Sequence, residues 1–201
     1  MSNHATKRIF FTSDIHFGHT NVIKYCNRPF ETAEVMDKEI VRRWNQKVSP
    51  RDDVYILGDV GLCPTDYLCK VLSQLNGNLF LVAGNHDKGH RKNDHFRKQF
   101  AWIKDLYTLK VQDDDAPQGI RRIELCHYSM RAWNKHGYGS WMLYGHSHGT
   151  LPDDPHALSI DVGMDCHDFA PISYEEIKDI MSKKDWSPPF YLTDKQNDGT
   201  G

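Results

Sequence analysis

Five short, apolar, β-prone runs along this chain each give way to an Asp, Asn or His, and glycine stands beside most of these residues. Ile9-Phe10-Phe11 leads through Thr12-Ser13 into Asp14-Ile15-His16, and Val54-Tyr55-Ile56-Leu57 into Gly58-Asp59. Residues 79–83 lead into Gly84-Asn85-His86-Asp87, residues 120–126 into His127, and Trp141-Met142-Leu143-Tyr144 into Gly145-His146-Ser147-His148. Such runs are too short for helices and too apolar for exposed strands, so each reads as a buried strand. Buried strands must pair, and pairing brings their ends to one edge.

The first three runs are separated by helix-like segments. Residues 32–48 have helical spacing, with Val35, Ile40, Val41 and Trp44 near one face and Ser49-Pro50 as a stop. Residues 64–75 form a second helix with Pro64 at its first turn. A β-α-β-α-β order predicts a parallel sheet with right-handed crossovers, and hence an α/β fold. The second half differs. Residues 103–111 and 120–126 read as two strands joined by a polar hairpin connection, followed by short strands at 141–145 and 157–162. Ser173-Tyr174-Glu175-Glu176 has the form of a capping box and opens a last helix to about Lys184. One domain over residues 1–185 is expected, with 186–201 as a polar, poorly ordered tail.

Bulk properties narrow the classes. A net charge of −2 over 201 residues gives no global basic field, although it leaves room for a local patch. The five cysteines are odd in number and scattered, which excludes a zinc ribbon or a disulfide framework. Neither a signal-peptide core nor an apolar stretch of membrane-spanning length occurs, so a cytoplasmic protein with no membrane association is expected. Twelve histidines are the compositional anomaly, and histidine is the commonest transition-metal ligand.

Residues two apart on an extended chain face the same way, so Asp14 and His16 can converge on one ion, as can His146 and His148. In open α/β sheets, sites lie beyond the carboxyl ends of the strands, where Asp59, Asn85 and His127 would join them. A mixture of carboxylate, imidazole and amide oxygen suits Mn, Fe, Zn or Ni better than Ca or Mg. Seven candidate ligands are too many for one transition ion and suit two. Two such ions clamp a phosphoryl group and stabilise the charge that builds during displacement.

In this order, Asp14-x-His16, Gly58-Asp59, Gly84-Asn85-His86-Asp87, His127 and Gly145-His146-x-His148 resemble the motif set of the calcineurin-like metallophosphoesterase superfamily. The stretch from Asp14 to His19, with Asn21 and Arg28-Pro29-Phe30, resembles its small bacterial and phage members. The resemblance implies a four-layer α/β/β/α sandwich of two mixed sheets flanked by helices. It implies that Asp14, His16 and His148 hold one divalent ion and that Asn85, His127 and His146 hold the other, with Asp59 bridging. Manganese is the expected metal. His86 would serve the leaving oxygen, oriented by Asp87, while hydroxide on the metals rather than a side chain would attack.

The substrate is expected to be a phosphomonoester or phosphodiester, with a small diester, a nucleotide or a short nucleic-acid end preferred. No protein partner is predicted. His19, Arg28 and Arg131 are candidate substrate contacts; helix capping for His19 and solvated surface charge for the arginines are the plainer readings. Trp133, His136, Tyr138 and Trp141 form either a pocket wall or a cover for a sheet edge. Val60-Gly61 after Asp59, and Asp87 where Glu is usual, depart from the Ser/Thr protein phosphatase pattern. The alternative from another class is a metal-bound protein-binding scaffold of the same fold, which the intact His86 disfavours.

Overall fold

Residues 7–189 are described by a computed structural model. The expected tail lies outside the described residues from 190 onward. In chain order the elements are β1 (Ile9–Thr12), α1 (Thr20–Tyr25), α2 (Ala33–Lys47), β2 (Asp53–Ile56), α3 (Thr65–Leu72), β3 (Asn78–Val82), α4 (Asp94–Arg97), β4 (Ile103–Lys104), β5 (Tyr107–Gln112), β6 (Ile120–Leu125), β7 (Trp141–Tyr144), β8 (Ser159–Asp161), β9 (Ile172–Ser173) and α5 (Tyr174–Ser182). They build two mixed sheets, ordered β4-β3-β2-β1-β9 and β5-β6-β7-β8. In the first sheet β1 to β4 run parallel and β9 is antiparallel. In the second, only the expected β5–β6 hairpin is antiparallel.

Strand alternation assigns each apolar side chain to a layer. Phe10, Val54, Ile56, Leu79 and Leu81 face outward from the first sheet and pack with Met36, Ile40, Trp44, Leu68, Val71, Leu72 and Phe96 of the helices. Their neighbours Phe11, Tyr55, Leu57 and Val82 face inward against Leu109, Ile123, Leu125, Trp141 and Leu143 of the second sheet. Tyr174, Ile177 and Met181 of α5 join that inner layer. On the far face of the second sheet, Cys126, Met142 and Tyr144 meet Met130 and Trp133 of the following loop.

Two local readings differ from the sequence expectation. Val35 is 47% exposed, and α2 instead buries Ala33, Met36, Asp37, Ile40 and Trp44. These fall at i, i+3, i+4, i+7 and i+11, a narrower stripe than the one drawn through Val35 and Val41. The run 103–111 is also not one strand. It breaks at the exposed Asp105-Leu106, so Ile103–Lys104 ends the first sheet and Tyr107–Gln112 starts the second. Elsewhere the local chemistry behaves as read: Thr32 accepts from Val35 N, and Ser173 with Glu176 forms the reciprocal capping box that opens α5.

A polar clasp ties α5 to the β5–β6 turn. The buried Asp113 accepts from Tyr174 Oη and Lys178 Nζ, both at 2.6 Å. Burial by itself would raise the Asp113 carboxyl, but the Lys178 ammonium and the Tyr174 hydroxyl hold it down at about 2. A carboxyl held below its unfolded value of 3.8 adds stability that is present above that pH and lost as pH falls toward 2. Asp113→Asn should therefore lower stability by about 1–3 kcal/mol at neutral pH. In urea melts it should also flatten the loss of stability between pH 4 and pH 2; an unchanged acid limb would count against the clasp.

Candidate metal centre

Beyond their last paired residues, the strand ends continue side by side. Asp14 N donates to Gly58 O, His16 N to Asp59 O and Phe17 N to Val60 O, each at 3.0 Å, so the two loops extend the β1–β2 ladder. Gly145 N donates to His127 O at 3.0 Å and Met164 N to Ser13 O at 3.0 Å, which draws in the second sheet. The candidate ligand residues themselves make the sharp bends. Asp14, His16, Asp59, His146 and His148 all have φ between 48° and 67°. That left-handed region is sparse for side-chain-bearing residues and gathers at functional sites.

Each inward carboxylate is pinned by one oxygen and bare at the other. Asp14 Oδ2 accepts His146 N at 2.8 Å, while its buried Oδ1 has no hydrogen-bond partner. Asp59 Oδ1 accepts His86 N at 2.9 Å. Its Oδ2 stands 3.8 Å from His16 Nε2, 3.6 Å from His127 Nε2 and 3.9 Å from His86 Nε2. Ligand atoms of Asp14, His16 and His148 all lie within 4.8 Å of one another, and so do those of Asp59, His127 and His146. Asp59, through His16, spans the two groups.

The imidazoles are set as acceptors toward this centre. His127 Nδ1 lies 2.7 Å from Leu57 O, and a carbonyl only accepts, so Nδ1 carries the proton. In the neutral ring, Nε2 and Asn85 Oδ1 are then both acceptors 3.0 Å apart, a contact that is no hydrogen bond between them and that a cation shared by the two would relieve. His148 Nδ1 is 2.7 Å from Asp165 Oδ2, which leaves its Nε2 facing Asp14 Oδ1 at 4.0 Å. Burial opposes charge on His148, but the Asp165 hydrogen bond and Asp14 raise it on balance. Both nitrogens of His16 are buried and unpartnered. Burial, and then the charges of His148 and Arg28, push His16 down to about 2. Burial raises Asp14 to about 6 against the pull of His148 and His127. Two clusters of carboxylate and imidazole groups gathered in this way are of the kind that holds divalent cations.

Of the remaining candidates, His86 is exposed at the rim, its ring 5.6 Å from that of His16. His19 occupies the N-cap position of α1 without a side-chain cap bond. Its ring lies 5.4 Å from His16, and its Nδ1 is buried and unpartnered. Arg131 is exposed and forms no ion pair among the described residues.

Two expectations need correction. Asp87 does not orient the His86 ring. It is buried and accepts backbone N–H groups of Asp59, Val60 and Gly84 at 2.8–3.0 Å, locking the β2 loop to the β3 loop. Arg28 is not free for substrate either. Its guanidinium is buried, donating to Asp14 O, Ile15 O and both oxygens of Asp165 at 2.7–2.9 Å. Asp165 and Tyr128 escaped the sequence reading. Asp165 follows β8 as the candidate ligands follow their strands, a pattern that could have found it. Tyr128 is 47% exposed, its ring 4.9 Å from both His127 and His146.

The calcineurin-like phosphoesterase family model matches residues 7–186, and the chain belongs to that family. The uncharacterized protein MJ1445 of Methanocaldococcus jannaschii is 30% identical over 188 residues, covering 89% of this chain and 94% of that protein. The gene 66 protein of Mycobacterium phage L5 is 25% identical over 195 residues, covering 86% of this chain and 93% of that protein. Among solved structures, a protein of unknown function from Aquifex aeolicus, AQ665, aligns over 87% of this chain and all of its own, with TM-score 0.64 and 22% identity. That likeness shows a shared fold.

Close approach makes two glycines irreplaceable. A Cβ at Gly145 would collide with Ser13 Oγ and Asp14 Oδ2, and one at Gly84 with Asp59 Oδ1. Gly145→Ala should displace Asp14 from His146 N and destabilise the fold by about 1–3 kcal/mol. Thermal melts of the metal-free protein check this, and a wild-type melting temperature would contradict it.

Proposed function

We propose that this protein hydrolyses a phosphate ester at a centre of two divalent transition-metal ions. Asp14, His16 and His148 would hold one ion and Asn85, His127 and His146 the other, with Asp59 shared. The observation that supports this most is the pair of buried carboxylates, each fixed by one oxygen to the backbone of another ligand loop and each turning its second oxygen inward. The mixed carboxylate, imidazole and amide donor set accommodates manganese, the metal we expect, as well as iron, zinc and nickel. When bound, two such cations supply Lewis acidity, activate water at neutral pH and neutralise charge on a phosphoryl group in transfer.

The chain's own residues supply position and protons. Asp59 Oδ1 holds the His86 backbone, so the His86 ring projects over the open side of the centre. From there it can donate a proton to a departing ester oxygen, a role imidazole fills near neutral pH. His19 stands beside it as a second polar contact for substrate oxygens. Asp165 and Arg28 act one step back. Asp165 fixes the His148 ring and its tautomer, and Arg28 ties Asp165 to the backbone that carries Asp14.

Four measurements bear on this reading. Purified protein reconstituted with Mn²⁺ should hold two equivalents and hydrolyse bis-p-nitrophenyl phosphate. His86→Ala should lose roughly 10²–10⁴-fold in kcat while keeping its metals. Asp59→Asn should lose both equivalents, because one carboxylate serves both; loss of a single ion would argue for separate sites. Asp165→Asn should weaken one of the two equivalents by about 10–100-fold in calorimetric titration. No turnover with any transition metal across mono- and diesters would sink the hydrolytic assignment in favour of a scaffold.

A further inference from the structure

Between Asp87 and Asp105 the chain carries six Lys and Arg residues against one acidic side chain, Asp94, although the protein as a whole has net charge −2. The segment begins at the centre's rim, since Lys88 lies two residues beyond His86. Arg91, Arg97 and Lys98 line a groove of about 630 Å³ whose remaining wall includes Phe100, Trp102 and Ile103, with Asp94 its sole carboxylate. Arg91 is paired with Asp105 at 2.6 Å and Arg97 with Asp94 at 3.6 Å. Lys88, Lys92 and Lys98 are exposed and have no carboxylate within ion-pair distance among the described residues. Unneutralised like charges side by side are unfavourable in the free protein and favourable against a row of phosphates.

Position separates this groove from the reacting centre. Ile103 pairs with Leu81, four residues before Asn85 on the same strand path, which corresponds to roughly 13 Å. A small diester held at the metal ligands does not reach that far, whereas a strand does. At the centre itself, the exposed Tyr128 ring stands against His127 and His146, its hydroxyl 3.5 Å from Asn85 Oδ1, and offers a face for stacking. Cations that follow a backbone and aromatics that take unstacked bases are the two parts of a single-strand site.

We infer that the substrate is a single-stranded nucleic acid. Its scissile phosphate sits among the metal ligands, one base stacks on Tyr128, and the flanking phosphates run past Lys88 and Lys92 into the groove at Lys98. This rests on the hydrolytic reading above and deepens it.

The test is fluorescence anisotropy with a labelled oligothymidylate of about twelve nucleotides, measured in EDTA so that binding is read without turnover. The triple variant K88Q/K92Q/K98Q should bind roughly tenfold more weakly, and the slope of log affinity against log salt should fall by about 2, near 0.7 for each phosphate that no longer meets a lysine. Its rate on bis-p-nitrophenyl phosphate should stay within about twofold of wild type, which also shows that it is folded. The control variant K24Q/K38Q/K70Q removes three exposed lysines from α1, α2 and α3 and should bind as wild type does. Equal weakening in the control would overturn the proposal, because net charge alone would explain the binding. Wild-type affinity in the first triple variant, or equal affinity for a duplex of the same length, would overturn it too. Absence of diester hydrolysis by the wild type would instead strike the hydrolytic reading, with strand binding measured independently.

Discussion

Two hydrogen bonds from backbone to carboxylate organise this centre. His146 N holds Asp14 through Oδ2, and His86 N holds Asp59 through Oδ1, so each carboxylate is fixed by the backbone of another strand-end loop. Because both bonds consume one oxygen and leave the other turned inward, they set direction as well as distance. A carboxylate free to rotate would satisfy itself with water or a neighbouring N–H. Asp14 Oδ1 is thereby left buried without a hydrogen-bond donor, a state that is unfavourable for a carboxylate oxygen unless a cation meets it.

The surrounding structure serves that arrangement. Asp87, deeply buried, gathers three backbone N–H groups and keeps the β2 and β3 loops in register. Arg28 does the same work between the Asp14-Ile15 backbone and Asp165, and Asp165 in turn fixes His148. Five candidate ligand residues sit in left-handed backbone, a strain of the order of 1–3 kcal/mol each that only an over-determined scaffold sustains. The tight inner layer between Phe11, Tyr55 and Leu57 on one sheet and Ile123, Leu125 and Leu143 on the other supplies that scaffold. Rigidity at the strand ends and exposure at His86 and Tyr128 divide the site into a fixed floor and an open rim.

Charge is distributed with the same division. Toward the floor, burial and the neighbouring positive charges hold His16 neutral, while Asp165 favours the charged form of His148. Outside it, the basic turn after His86 gives one flank a sign opposite to that of the protein as a whole. A cationic flank of this kind would guide the anionic substrate proposed above, and the guidance would weaken with salt.

Much of this was open to inspection in the sequence. Strand-period runs ending in Asp, Asn or His specify a sheet and place ligand-type residues at its edge, because side-chain direction along a strand is a local property. The capping box at Ser173 and the helix stop at Ser49-Pro50 are equally local. What the sequence could not decide was where the chain changes sheets, since Asp105-Leu106 looks like an interruption within one strand until its two halves find different partners. Nor could it decide what Asp87, Arg28 and Asp165 touch. Each could face solvent, substrate or backbone, and only the meeting of segments up to 137 residues apart settles the choice. Residue type fixes what a side chain can bind; packing of distant segments fixes what is left for it to bind.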